Sequence, residues 1–307
     1  MKMFLPEGKL FNTKDNLSLV SSEAGMRYAM NEGKILEWRV SICDANHNLI
    51  VELPKGRGII PKDEGALGIK EGLTRDIALI SRVSKPVCFT VEGISTDEEG
   101  KPLYNLSRRR AQEICKEQYI KTLKAGDVID VKITHNEPFG AFCDVGCGIC
   151  SLIPIDCISV SRISHPKDRF YVGEDIKAVV KAVDDGRIYL SHKELLGTWE
   201  ENANLISQGE TLSGVIRAVE DYGCFVEIFP NLAGLAEVKE GAKVGQRCSV
   251  YVKNIIPEKM KVKLIIVEAF DGEFSSPTKK YFVTENHINE WEYSPPTSPK
   301  YIGTIFE

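Results

Sequence analysis

One local pattern occurs twice at a fixed interval. Phe139-Gly140-Ala141-Phe142 lies inside an apolar-alternating run from Val128 to Val145, and Tyr222-Gly223-Cys224-Phe225 repeats it 83 residues later (222 − 139). The flanks keep the same offset: Gly126 matches Gly209, and Val128 falls opposite Thr211. A chain with such a period builds copies of one small supersecondary unit rather than a single large core. Within each copy the glycine allows a strand to bend or bulge, because it has no Cβ to clash. Beyond a bulge, two aromatics three apart share a face that strict alternation would deny them. Two exposed rings on one sheet face form a stacking platform for unpaired bases. For either copy taken alone, burial of both rings in a core remains the alternative.

The chain has 307 residues, enough for two or three domains, and the period favours three small ones with tails. Apolar residues make up 43% and charged residues 27%, as in ordinary globular proteins. A formal net charge of −5 excludes a generally basic nucleic-acid coat, so any RNA binding must use local basic clusters and stacking. No apolar run reaches the length of a membrane span, and the stretch from Met1 to Glu7 is too short for a secretory signal. Nine scattered cysteines with no export signal point to reduced thiols in a cytoplasmic protein.

Residues 1–32 read as a lead-in, with Ser21-Ser22-Glu23 capping a short helix through Met30. A first strand-rich unit spans 33–107. Its strands are expected around Ile35–Val40, Leu49–Leu53, Ile59–Pro61, Ile77–Val83, Val87–Val91 and Leu103–Leu106, with a turn at Lys55-Gly56-Arg57-Gly58. Ser107 then opens a connecting helix over 108–123. Arg108, Arg109 and Arg110 sit in its first turn, at the unfavourable end of the helix dipole. They serve either an anionic partner or a solvated basic turn.

The second unit, 124–191, has strands at 128–134, 139–145, 149–153, 175–183 and 187–191, with a hairpin at Asp184-Asp185-Gly186. Ser191 and Glu194 form a capping-box pattern, which predicts a connecting helix over 192–206. The third unit, 207–268, has the same trace with one loop trimmed. Gly148 and Gly173 stand 25 residues apart, whereas Gly234 and Gly245 stand 11 apart. Residues 269–307 form an aromatic, proline-rich extension, with short strands expected at Tyr281–Val283 and Tyr301–Phe306. It either folds back onto a domain, the favoured reading, or adds a strand to a neighbouring molecule.

Five short strands with an aromatic-Gly-small-aromatic second strand and a Leu-Ser ending describe a small Greek-key barrel of the OB type. The fold class expected is mainly β, three tandem five-stranded barrels joined by helices. The second unit resembles the S-one RNA-binding repeat through Gly126-Asp127-Val128, Phe139 to Phe142, Gly148, Gly173, Asp184 and Arg187-Ile188-Tyr189-Leu190-Ser191. The third resembles it through Gly209, Tyr222 to Phe225, Gly234-Leu235, Gly245 and Lys261-Val262-Lys263-Leu264. The first does so more weakly, through Gly33, Gly58 to Pro61 and Leu106 to Arg109. The resemblance implies a non-enzymatic, ribosomal-protein-like factor that acts in translation or on mRNA. Its implied partners are single-stranded RNA or mRNA and the small ribosomal subunit, with no membrane and no cofactor. The alternative is a protein-docking adaptor on the ribosome or another complex, with weak RNA affinity.

In that family RNA lies on strands two and three, against two aromatics, a histidine, an aspartate and an arginine. Carried over by position, the resemblance assigns Phe139, Phe142, Asp184 and Arg187, with Ser151 in the histidine's place. In the third unit it assigns Tyr222, Phe225, Glu258 and Lys261. There Glu237 replaces the histidine and should repel phosphate, while Lys253, Lys259 and Lys263 stand near to compensate. In the first unit His47 and Ile50 occupy the ring positions, which degrades the platform. The long second-unit connection adds Arg162, Lys167 and Arg169 as candidate phosphate contacts, or as a solvated loop. Stacking is worth about 1–3 kcal/mol per base and tolerates any sequence, and basic neighbours add a salt-dependent phosphate term.

Cys143, Cys147 and Cys150 have the spacing of an iron–sulfur ligand string, with Cys157 as a possible fourth thiolate. No alternation of helices and strands supports the barrel such sites require, so no metal is expected. His165 and His192 are expected at the surface, and no nucleophile motif or phosphate-cradling glycine loop is present.

Overall fold

The computed structural model describes residues 4–184, 187–272 and 279–306. The chain divides into two compact units. One comprises Met1–Leu123, Asp130–Lys132 and Asp144–Cys150; the other comprises Lys124–Ile129, Ile133–Cys143 and Ser151–Glu307.

The first unit opens with helices α1 (Lys14–Val20) and α2 (Glu23–Asn31). Ser22 caps α2 as its sequence predicts, its side chain accepting from the Gly25 amide, while α1 is capped by Thr13. Strands β1 (Leu36–Arg39), β2 (Ile42–Cys43), β3 (Leu49–Leu53) and β4 (Gly56–Ile60) follow. Helix α3 (Ile77–Ile80), strands β5 (Pro86–Thr96) and β6 (Pro102–Ser107) and helix α4 (Arg108–Gln118) complete the set. The sheet runs β1-β5-β6-β4-β3-β2. Strands β1 and β2 are two halves of one barrel strand, interrupted at Val40–Ser41, so the circuit of pairings is that of the OB barrel with its first strand broken. Leu49, Val51, Ile60, Phe89 and Leu106 form its core with Met26 and Ala29 of α2.

Two expectations fail here. The apolar stretch Ile77–Val83 holds helix α3 and the turn that follows it rather than a strand. Within α3 only Leu79 is buried, and Ile77 and Ile80 are exposed, so the run has no sheet face to alternate against. The turn placed at Lys55–Gly58 is also shorter, because β4 already begins at Gly56. Gly58 is a strand glycine, and a Cβ there would sit 2.4 Å from the Leu106 side chain. Its small size serves interior packing.

The second barrel is formed by β7 (Val128–Glu137), β8 (Gly140–Asp144), β9 (Cys150–Pro154), β10 (Asp175–Asp184) and β11 (Arg187–Ser191), closed in the order β10-β11-β9-β8-β7. The expected turn residues Asp185 and Gly186 lie outside the described residues. The single helix expected over 192–206 is instead a 3-10 turn at Lys193–Leu196 followed by α5 (Trp199–Ala203). Gly197 breaks the path with φ +85°, and Phe282 packs where a Cβ would stand. The capping box forms seven residues later than expected, between Thr198 and Glu201.

The third barrel consists of β12 (Thr211–Glu220), β13 (Gly223–Phe229), β14 (Leu232–Ala236), β15 (Arg247–Ile256) and β16 (Lys261–Phe270), closed as β12-β13-β14-β16-β15. Ile216, Val226, Val250, Val252 and Leu264 fill its interior. The extension folds back within the second unit. Trp291 and Tyr293 join the third barrel's core, and β17 (Glu290–Glu292) pairs with β18 (Gly303–Ile305). Tyr281–Val283 is not a strand; the Phe282 amide donates to the Leu195 carbonyl at 2.9 Å. The chain is thus mainly β, with two closed five-stranded barrels and a third, broken one. Among the described residues, no helix is long and apolar enough to cross a membrane.

Candidate nucleic-acid interface

In both complete barrels the first aromatic of the repeat precedes its strand, and the second lies within it. Phe139 sits in the β7–β8 turn and is 57% exposed; Tyr222 sits in the β12–β13 turn and is 68% exposed. Each meets its partner edge to face. The Phe139 and Phe142 centroids are 5.9 Å apart at 90°, and those of Tyr222 and Phe225 are 6.2 Å apart at 89°. Edge-to-face packing is a favourable aromatic geometry. A core position for both rings is excluded for Phe139 and Tyr222.

The intervening glycine has a different role from the one expected. A Cβ on Gly140 would lie 2.5 Å from the Ile153 carbonyl oxygen, and one on Gly223 would collide with the Ala236 carbonyl. The neighbouring strand passes too closely for any side chain. In the third barrel the bulge lies across the pair, on β12 between Ile216 and Ala218, opposite Val226 and Phe225.

Strand register defines a row of outward side chains. In the third barrel Phe225 faces Leu235 on β14, and Leu235 faces Lys263 on β16. In the second, Leu152 faces Tyr189 on β11, and the 83-residue offset places Phe142 beside Leu152. In the first domain the row is Ile50, Ile59 and Asn105. The ring position assigned to Ile50 is therefore occupied by an aliphatic side chain. His47 lies in the loop before β3 with φ +62°.

Several assigned residues reach the surface. Arg162, Lys167, Asp184, Arg187, Lys253, Glu258, Lys259, Lys261 and Lys263 are exposed. Asp184 and Arg187 are register partners across the β10–β11 hairpin. Lys253 forms an ion pair with Glu237 at 3.0 Å, so the compensating lysine is engaged by the carboxylate it was expected to offset.

Other assignments are corrected. Ser151 is buried and its hydroxyl donates to the Ile188 carbonyl. The offset that pairs Leu152 with Leu235 pairs Ser151 with the inward Gly234 and places Pro154 at the position of Glu237. Arg169 is only 2% exposed. It donates to Glu227, which also accepts from Arg217, and Arg217 pairs with Asp168 at 3.2 Å. A guanidinium committed to that cluster has no access to phosphate. The basic turn Arg108–Arg110 is likewise neutralised from within. Arg108 is buried against Glu7, Arg109 meets Glu64, Glu71 and Glu113, and Arg110 meets Glu113.

His192 is fully buried rather than exposed, with Nδ1 3.0 Å from the Ile158 carbonyl. Cys143 and Cys147 are buried and Cys150 is exposed. The Cys143 thiol donates to the Ala141 carbonyl at 3.7 Å, whereas Cys147 lies in hydrogen-bond contact with Cys88 and Cys115. Among the described residues no group of three or more His, Cys, Asp and Glu side chains is placed to hold a metal ion. Two face residues were missed by the residue-by-residue assignment. His135 stacks near Phe142 at 6.5 Å, and Tyr189 stands exposed on β11. Alternation along Arg187–Ser191 already places Tyr189 on the outward face beside Arg187.

Residues 122–193 match the family described as the S1 RNA binding domain. Small ribosomal subunit protein bS1 of Staphylococcus aureus strain COL is 31% identical over 57% of this chain and 49% of its own length. The bS1 of Leuconostoc lactis is 33% identical over 52% of this chain and 41% of its own. The chain spans about half the length of these relatives. A multidomain protein with nucleic acid binding domains from Streptococcus pneumoniae aligns over 76% of this chain and 73% of its own, with 14% identity and a TM-score of 0.24. Residues 122–193 thus match the S1 RNA binding domain by sequence and fall in a closed five-stranded barrel, and the chain is similar to bS1 across the span the two share.

Proposed function

We propose that the chain binds single-stranded RNA on the outward face of the second barrel, with the third barrel as an additional contact, and that it acts in translation as a cytoplasmic, non-enzymatic partner of mRNA and the small ribosomal subunit. The observation that carries this reading is the pair of edge-to-face aromatic sets, repeated on two barrels with the first ring of each open to solvent. Unpaired bases stack on Phe139 and Phe142 and, more weakly, on Tyr222 and Phe225. Arg187, Lys261 and Lys263 supply the phosphate attraction beside them, and Arg162 extends it. Two linked sites hold one strand better than either alone, because the second contact forms at high effective concentration.

The test is equilibrium binding of the full chain to a fluorescein-labelled 20-nucleotide RNA across salt concentrations. Phe142→Ala should weaken binding about five- to hundredfold, the range expected for one lost stacked base, and leave the melting temperature near that of the parent. Unchanged affinity with an intact fold would remove stacking on this face as the mechanism.

A protein-docking role for the first domain is favoured by its Ile50–Ile59–Asn105 row, which carries no ring. Association of the Phe142→Ala protein with purified small ribosomal subunits at parental strength supports that role; loss of association places the subunit contact on the RNA face instead.

A further inference from the structure

We infer that Tyr189 supplies a further stacking ring, so that the second barrel holds one more unpaired base than its Phe139–Phe142 pair can take. This rests on the RNA-binding reading above and extends it to a residue that the inherited assignment omits. Tyr189 projects from the middle of β11, between the buried Ile188 and Leu190, and is 43% exposed. Its register partner is Leu152 on β9, and β9 in turn adjoins β8, which carries Phe142. Phe142, Leu152 and Tyr189 therefore form one outward row across three adjacent strands.

The spacing decides what the ring can do. Neighbouring strands lie about 4.8 Å apart, so Tyr189 stands about 10 Å from Phe142. That is too far for both rings to enclose one base. It is suited to a base carried by a further nucleotide of the same strand, with the Leu152 side chain between them.

The other barrels sharpen the contrast. At the same row position the third barrel has Lys263 and the first domain has Asn105. One barrel fold thus presents a ring, a cation and an amide at the same place. The ring occurs in the barrel where Pro154, without charge, stands at the position of the third barrel's Glu237. It also lies two residues from Arg187 on the same face of β11, which brings a phosphate-binding cation beside it.

The experiment compares full-length Tyr189→Ala, Tyr189→Phe and Tyr189→Lys proteins with the parent and with Phe142→Ala, using the fluorescein-labelled 20-nucleotide RNA. Tyr189→Ala should lose about five- to hundredfold in affinity and Tyr189→Phe should retain the parental value, since stacking needs the ring and not the hydroxyl. Tyr189→Lys should steepen the log–log salt slope by about 0.7, the single-strand value for one added phosphate contact. Photocrosslinking of a 4-thiouridine-substituted RNA to the unaltered chain should give an adduct at Tyr189, a readout independent of variant stability. If Phe142→Ala weakens binding while Tyr189→Ala does not, and no adduct maps to Tyr189, this inference falls and the proposed function stands. If neither variant weakens binding, both fall. Equal losses in Tyr189→Phe and Tyr189→Ala overturn the stacking role in favour of the hydroxyl.

Discussion

Glu7 and Arg108 meet through a two-bond fork, Nε to Oε1 at 2.7 Å and Nη2 to Oε2 at 3.0 Å, although 101 residues separate them. Both are buried. Burial raises the Glu7 carboxyl, but the Arg108 guanidinium, with Arg82, outweighs it and holds the carboxyl below its ordinary value of 4.5. The stabilisation is therefore complete above pH 4.5 and is lost as pH falls through the lowered value. Arg108→Met leaves a buried carboxylate short of its main partner and should cost about 3–5 kcal/mol. Urea melts at pH 7 will measure it, and the Glu7→Leu/Arg108→Met double variant should recover part of the loss.

His192 gives a second pH signature, of known sign. Burial pushes its imidazole down from 6.5 to about 3 against the hydrogen bond to Ile158, and Lys279 and Arg169 add to the depression. The unfolded chain takes up a proton below pH 6.5 and the folded chain does not, so this group's contribution is full above 6.5 and is lost as pH falls. Its slope is about 1.4 kcal/mol per pH unit between the two values. Glu37 and Asp144, both raised to about 7 by burial, oppose it over the same window. The difference between the parent and His192→Gln isolates the histidine. That difference in unfolding free energy should shrink from pH 6.5 to pH 5.

The two arginines of the long second-barrel connection should separate cleanly. Arg162→Ala, at the surface, should leave stability within about 0.5 kcal/mol and lower the RNA salt slope by about 0.7. Arg169→Met should leave that slope at the parental value in folded protein. Glu227→Gln, which strips the carboxylate from two largely enclosed guanidiniums, should cost about 3–5 kcal/mol.

Glu237 and Lys253 form an exposed pair, worth at most about 1 kcal/mol to stability. Glu237→Gln should barely move the melting temperature. It frees Lys253 and removes a charge that repels phosphate, so RNA affinity should rise about two- to fivefold with a slope steeper by about 0.7. Fluorescence anisotropy at three salt concentrations is sufficient to show it.

Gly140→Ala tests the close approach of β9 to β8. The added methyl would meet a backbone oxygen that cannot rotate away. A cost of about 1–3 kcal/mol is expected, with reduced RNA affinity because Phe139 and Phe142 flank the displaced bond.

Barrel architecture was legible because alternation and turn glycines are local signals, and the 83-residue echo fixed the register of one unit against another. The failures follow from information that is not local. Ile77–Val83 has the composition of a strand, yet α3 and a turn occupy it and no strand pairs with it among the described residues. His192, Arg108 and Arg169 look like surface residues in sequence. Their burial depends on carboxylates and carbonyls far along the chain, at Glu7, Ile158 and Glu227. Ser151 belongs to a five-residue strand whose faces alternate, so spacing alone does not separate its inward from its outward positions, and its burial follows from the pairing of β9 with its neighbours. Tyr189 was visible in the alternation of β11 but absent from the inherited set of contacts.

The outward row that reads Ile50–Ile59–Asn105, Phe142–Leu152–Tyr189 and Phe225–Leu235–Lys263 contributes little to any barrel interior. Because these side chains stand outside the barrel interiors, their identity is set less by core packing than that of their inward neighbours, so repeated copies can differ in ligand chemistry while keeping one fold. A chain built this way can redistribute affinity among its copies over evolutionary time, losing grip in one barrel while gaining it in the next.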